Sequence, residues 1–210
     1  MVEGPVGVLA LQGSFIKHAE ILCSLGVQTR QVRLPEDLQN CVGLVIPGGE
    51  STTMSHLIDD FALREPLIAF SRQRPVLGTC AGLIMMARDV DDPRVVPLGI
   101  LSCKALRNYY GRQINSFTAR VRMPFDCSSR PLDAVFIRAP GVVECGPEVE
   151  ILATHRDQAV MLGQGHHLGL AFHPELGSDP RVHAHWLKGF MSYDRARPTG
   201  LPTNLDDVFV

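Results

Sequence analysis

Charge is scarce and balanced in this 210-residue sequence. Only 20% of its residues are Asp, Glu, Lys or Arg, and 20 basic against 22 acidic side chains leave a formal net charge of −2. Such a chain has no electrostatic attraction for nucleic acid or an anionic membrane, so neither is expected as a partner. Long apolar runs are also missing: none approaches the roughly 20 residues of a membrane span. Met1 to Leu25 lacks a basic start and a clean apolar stretch, because Gln12, Lys17, His18 and Glu20 interrupt it. No export leader is read there, and a cytoplasmic location is expected. Six cysteines are present (Cys23, Cys41, Cys80, Cys103, Cys127 and Cys145), but none are closely paired. Without CxC, CxxC or CxxxC spacing, zinc ribbons and thioredoxin-like redox pairs are disfavoured. In a reducing compartment these are thiols, and the question is which of them does chemistry. Apolar side chain is plentiful at 45% of residues, enough for one sizeable core, while 19 Gly and 15 Pro punctuate the chain.

The apolar run Gly7–Leu11 reads as a buried strand, followed by a helical pattern from Ser14 to Leu25 and a short strand over Val27–Val32. Val42–Ile46 is a further strand, stopped by Pro47-Gly48-Gly49, and helix follows from Ser51 to about Arg72. Pro75–Gly78 is another strand and Ala81–Arg88 another helix. This alternation predicts an α/β fold with a mainly parallel sheet covered on both faces. From Pro97 to Leu170 short β-like runs recur at 99–101, 117–121, 134–137, 149–153, 159–162 and 168–172. They are expected to extend the same sheet. A closing helix is predicted over Val182–Tyr193, giving a single domain over 1–194 and a flexible tail over 195–210.

Three constellations carry chemistry. Gly78-Thr79-Cys80-Ala81-Gly82, between strand and helix, has the nucleophile-elbow pattern with cysteine at its centre. The thiol would stand at a helix N-terminus that favours thiolate, and the Ala81 N–H is placed to hold an oxyanion. His173-Pro174-Glu175 follows the strand Leu168–Phe172. Strand ends of one sheet gather functional groups, so His173 would sit beside Cys80 with Glu175 fixing its tautomer. Alone, His-Pro-Glu is more often a capped turn; beside the elbow it reads as the rest of a Cys-His-Glu triad. Pro47-Gly48-Gly49-Glu50-Ser51-Thr52 offers close backbone approach and free N–H donors, but lacks the lysine of a phosphate loop.

These residues resemble the class I glutamine amidotransferases. Five segments narrow the resemblance to the glutaminase subunits of pyridoxal 5′-phosphate (PLP) synthase: Leu9-Ala10-Leu11-Gln12-Gly13, the Pro47–Thr52 loop, Arg107–Gln113, Phe136-Ile137-Arg138-Ala139-Pro140, and Phe172-His173-Pro174-Glu175-Leu176. The resemblance covers about residues 6–192. It implies a three-layer α/β/α sandwich with a mixed sheet, and a glutaminase that passes ammonia to a separate PLP synthase subunit. It implies Cys80 as nucleophile, His173 as acid/base and Glu175 as its orienter. Gly49, Glu50, Ser51, Arg107, Ile137 and Arg138 would contact L-glutamine, and Gly48, Gly49 and Ala81 would form the oxyanion hole. The thioester chemistry needs no metal or organic cofactor. The first strand and the Leu11-Gln12-Gly13 turn would lie near the partner subunit.

The sequence departs from that pattern at Lys17, Ser102 and Tyr110. Two rival functions share much of it: a glutaminase feeding another acceptor, such as that of imidazole glycerol phosphate synthase, and an inactive glutaminase-like binding subunit. Other residues take structural readings: His166-His167 as a surface turn, His183 and His185 as facing different sides of a helix, and Met85-Met86 as core. The remaining cysteines are read as inert.

Overall fold

The computed structural model describes residues 4–109, 116–123, 125 and 130–196. In chain order the elements are β1 (Val6–Leu9), α1 (Phe15–Ser24), β2 (Thr29–Val32), β3 (Gly43–Ile46), α2 (Ser51–Asp60), α3 (Arg64–Ser71), β4 (Val76–Thr79), α4 (Ala81–Met86) and β5 (Ala87–Val90). They continue with β6 (Leu101–Leu106), β7 (Phe117–Val121), β8 (Leu132–Phe136), β9 (Gly141–Cys145), β10 (Glu150–His155), β11 (Gln158–Gln164), β12 (His167–Leu170) and α5 (Arg181–Ala196). Two 3-10 turns, Pro35–Leu38 and Pro174–Leu176, complete the set.

A seven-stranded sheet in the order β10-β11-β12-β4-β3-β1-β2 forms the central layer. The pairs from β12 through β4, β3 and β1 to β2 are parallel, and β10-β11 and β11-β12 are antiparallel. Every residue of β1, β3 and β4 is buried, as expected of parallel strands covered on both faces. Helix α1 packs on β1 and β2, and α4 on β3, β4 and β12, so the expected α/β/α sandwich with a mixed, mainly parallel sheet is the observed architecture. The core runs through the sheet from Val6 to Leu162 and onto α5 at Val182 and Trp186.

The expectation of one sheet is corrected. Only β10, β11 and β12 join it; β5, β6 and β9 form a separate three-stranded sheet, and β7 with β8 a two-stranded one. The reason is topological. Strand β12 takes the edge of β4, so the segments between α4 and β10 have no place beside it. They pair with each other, and β6 shows the alternating burial of a sheet covered on one face. The helix expected over 81–88 stops at Met86, because Ala87–Val90 pairs in parallel with β6. The long helical stretch from Ser51 is two helices broken at Ala62, whose φ is +53°. Strand β9 had no alternation to announce it. Helix α5 reaches Ala196, so the expected tail loses its first two residues to helix. The rest of that tail (197–210) lies outside the described residues, as do Tyr110 and Cys127. Among the described residues no helix is long and apolar enough to cross a membrane.

Candidate active site

Strand β4 ends at Thr79 and α4 begins at Ala81, so Cys80 alone turns the chain from strand to helix. Its φ of +51° is one that side chains with a Cβ rarely adopt. The strained turn is pinned on both sides. The Cys80 N–H donates to the Leu170 carbonyl at 2.8 Å, and its carbonyl accepts from the Ile84 N–H at 3.2 Å. Gly82 is required for the same turn, since a Cβ there would run into the Ile46 carbonyl. The thiol is buried, with Sγ 3.7 Å from the Ile137 carbonyl oxygen. Helix α4 has only six residues, so its dipole is a minor influence and the chief partner of the thiol is an imidazole.

That imidazole arrives on the neighbouring strand. In the β12–β4 register Leu170 lies level with Thr79, so both chains emerge at the same sheet edge. Buried Ala171 and Phe172 carry the chain to His173, whose N–H donates to the Val135 carbonyl of β8 at 2.8 Å. Pro174 opens the 3-10 turn that swings Glu175 back beneath the ring, and Nδ1 of His173 lies 2.7 Å from Glu175 Oε1. The same oxygen accepts from the Ser14 hydroxyl at 2.5 Å. Burial opposes the charge on His173, but hydrogen bonds to Cys80 and Glu175 and their negative charge raise its pKa to about 10. Burial likewise opposes ionisation of Glu175, yet the His173 hydrogen bond, the electrostatic pull of His18 and His173, and Ser14 hold its carboxyl at about 2. The ring therefore keeps its Nδ1 proton on the carboxylate and turns its other nitrogen to the thiol.

The third wall is the loop after β3. Gly48 lies against the His173 ring so closely that a Cβ would overlap it, and its carbonyl accepts from the Ser14 N–H at 3.1 Å. Gln12 clamps the next peptide: its Oε1 accepts from the Glu50 N–H at 3.1 Å and its Nε2 donates to the Glu50 carbonyl at 3.3 Å. The Glu50 side chain caps α2, accepting from the Thr52 and Thr53 N–H groups at 3.2 and 2.7 Å. It also accepts from Arg107 Nη2 at 2.7 Å. Arg107 is bound on its other side by Asp92. Burial works against the Glu50 charge, but the Thr53 and Thr52 hydrogen bonds and Arg107 lower its pKa.

These walls enclose a cavity of about 260 Å³ lined by Gly48, Gly49, Glu50, Ser51, Cys80, Ala81, Arg107, Ile137, Arg138 and His173. Every residue that the sequence assigned to the site is on that lining except Glu175, which lies behind His173. Arg138 makes no ion pair among the described residues. Among the described residues, three of the seven non-glycine positions with positive φ (Cys80, Asn108 and Arg138) line this one cavity, a concentration of backbone strain typical of functional sites. Ala81, first in α4, has an N–H with no intrahelical acceptor.

Sequence reasoning missed Gly13, Ser14, Ile84, Asn108 and Leu176 on the lining, and the braces Gln12, Asp92, His18, Thr79 and His183. Ser14 reads from sequence only as the start of a helical pattern, and nothing linear joins it to Glu175. His183 and His185 do face different sides: His183 is fully buried, while His185 stacks on Phe125 with ring centroids 3.6 Å apart. The turn expected at His166-His167 forms at Gly165-His166, between β11 and β12, and takes in His166 alone. Both rings are partly buried, His167 opens β12, and its Nδ1 accepts from the Val76 N–H at 3.3 Å. Burial pushes the Cys41 thiol up to about 11 and the Cys103 thiol up to about 12, away from reactivity.

Residues 8–192 match the SNO glutamine amidotransferase family. A protein of Desulforamulus reducens called pyridoxal 5′-phosphate synthase subunit PdxT is 44% identical over 184 residues, covering 87% of this chain and 97% of that protein. One of the same description from Pelotomaculum thermopropionicum is 46% identical over 184 residues, covering 87% and 93%. A crystal structure of a glutamine amidotransferase superposes with a TM-score of 0.84 at 38% identity, covering 90% of this chain and all of that one.

Proposed function

Because the chain belongs to the SNO glutamine amidotransferase family, we propose that it is the glutaminase subunit of a PLP synthase. It hydrolyses L-glutamine to L-glutamate and passes the ammonia to the synthase subunit. The observation that carries this reading is the continuous line from the Cys80 thiol through His173 to the buried Glu175 carboxylate, opening on a cavity of amino-acid size.

The geometry supports a two-step acyl transfer. The Cys80 thiolate attacks the side-chain carbonyl carbon of glutamine, and the developing oxyanion is held by the Ala81 N–H and an N–H of Gly48 or Gly49. The His173 imidazolium gives its proton to the departing nitrogen, releasing ammonia and leaving a thioester on Sγ. Neutral His173 then takes a proton from water as it attacks the thioester, and glutamate leaves with the thiolate restored. Glu175 stabilises the imidazolium at each turn. Arg138 suits the glutamine α-carboxylate, while Glu50, with Arg107 steadying it, faces the α-ammonium. Ser51 and Ile137 complete the wall, Ile137 fixing the thiol through its carbonyl.

The test is ammonia and glutamate release from glutamine, by the chain alone and with a PLP synthase subunit. Stoichiometric release that disappears in C80A supports the reading. No release with the synthase present would favour an inactive binding subunit. Release that is indifferent to the synthase would favour another acceptor.

A further inference from the structure

Behind the triad lies a second set of polar side chains that the proposed chemistry leaves unused. Helix α1 buries only His18 and Leu22, so the one polar side chain it commits to the interior is an imidazole, with no exposed surface. Four elements converge on that ring. His18 Nδ1 lies 2.9 Å from Nε2 of His183 on α5, and its Nε2 lies 3.1 Å from the Thr79 hydroxyl at the end of β4. The same Nε2 is 3.3 Å from Glu175 Oε2. That oxygen is buried and receives no hydrogen bond among the described residues, His18 standing near it by distance alone; Ser14 and His173 both use Oε1.

An ionised carboxylate oxygen with no donor in a dry interior is costly, and the cost falls if the nitrogen facing it carries a proton. Two tautomers of His18 are available. With the proton on Nδ1, the Nε2 lone pair would point at the Oε2 lone pairs, and like charge density would meet at 3.3 Å. With the proton on Nε2, that N–H donates to Thr79 and turns its positive end toward Glu175 Oε2 3.3 Å away, and Nδ1 accepts from the Nε2–H of His183. His183 then keeps a bare Nδ1, the buried atom that has no partner. A lone pair is the cheaper orphan there than an unbonded N–H. Each ring's hydrogen bond thus dictates the next one's tautomer, and the direction of the whole chain is fixed by the carboxylate at its end.

We propose that His18, its tautomer set by His183, is a positioning residue that holds the second oxygen of Glu175 and through it the orientation of His173. This rests on the glutaminase reading for its kinetic consequence, though not for its structural one. Among the described residues the groups around the Glu175 carboxylate are Ser14 and His18 from α1, Thr79 by way of His18 from β4, His173 from the strand end, and His183 behind His18 from α5. Both buried imidazoles stay neutral, so the arrangement supports the carboxylate by a dipole and adds no net charge beside His173.

Long-range nitrogen–proton NMR of the full chain, with histidine labelled at nitrogen, reads the tautomers directly and needs no turnover. His18 protonated on Nε2 and His183 protonated on Nε2 is the expected result; a proton on Nδ1 of His18 overturns the proposal even if the chain is an active glutaminase. Kinetics with the synthase subunit add a second reading. H18L should lower kcat by about 10- to 100-fold, the loss common for a group one hydrogen bond behind the reacting ones, with KM held within about twofold. The acid limb of its kcat profile should move to higher pH as Glu175 accepts a proton more readily. H18Q, which carries an amide N–H near the position of Nε2, should recover most of the rate and return the limb. Equal losses in H18L and H18Q with an unmoved acid limb would reduce His18 to packing and overturn the proposal.

Discussion

Acidification between about pH 6.5 and 4.5 should unfold this protein steeply, and buried histidines are the reason. Burial, assisted by neighbouring positive charge, lowers His18 to about 4 despite the attraction of Glu175. It lowers His167 and His183 to about 3. Each has a folded pKa below its unfolded value of 6.5. Their contribution is therefore fully present above pH 6.5 and is lost as pH falls toward the folded values. Near pH 5 the unfolded chain binds almost three more protons through these rings, a slope of about 4 kcal/mol per pH unit. His173 does not counter this: raised to about 10, it is protonated in both states below 6.5, and its own stabilisation is lost only as pH rises toward 10. Glu175 enters later, since its stabilisation is present above 4.5 and is lost as pH falls to about 2. Against a net stability of about 5–15 kcal/mol, a fall of this size over two pH units reaches the unfolding midpoint. Urea denaturation followed by circular dichroism at several pH values gives the slope. H167N, at a ring remote from the triad, should reduce it by about 1.4 kcal/mol per pH unit. A flat stability between pH 6.5 and 5, or an unchanged slope in H167N, would refute the reasoning.

Four further outcomes are expected. S14A deletes the 2.5 Å hydrogen bond to Glu175 Oε1 and should lower kcat by about tenfold with little change in KM, read from steady-state glutamate release. G48A places a methyl group against the His173 ring, so turnover should fall by at least about 10-fold while the far-ultraviolet spectrum stays native. R138M should raise KM for glutamine by about 10- to 100-fold with kcat largely kept, as expected from losing one charge-assisted contact to the α-carboxylate. E175Q should depress kcat by several orders of magnitude, because the neutral amide no longer stabilises the imidazolium; glutamine affinity by calorimetry should barely move.

The sequence made legible what depends on short-range pattern. Continuous apolar runs located β1, β3 and β4, and the glycines around Cys80 and Gly48 announced the two turns where the backbone must come close. His173 and Glu175 could be read because proline and two residues of spacing bring a carboxylate under a ring. Strand partnering was not legible: nothing in Leu101–Leu106 says that it pairs with Ala87–Val90 and Gly141–Cys145 in a sheet of its own. The supports of Glu175 were hidden for the same reason. Ser14, His18, Thr79 and His183 come from three elements, α1, β4 and α5, spread over most of the chain, and none of them carries a local pattern that points to Glu175. Arg107 lines the cavity, but its engagement with Asp92 and Glu50 follows from the sheet that carries it.

The insertion of β12 between β4 and β11 also sets when the thiol can react. A ribosome completes β4 and the elbow long before it reaches His167, and until then the edge of β4 stands open. Cys80 on such a nascent chain has neither the Leu170 carbonyl that pins its backbone nor the imidazole that lies beside its thiol. Pairing of distant segments is the slow part of forming a sheet, so Cys80 meets its supports only as β12 docks. A chain released early, or cut before that strand, would hold Cys80 without either neighbour, and the proposed hydrolysis would wait until the fold that contains it has closed.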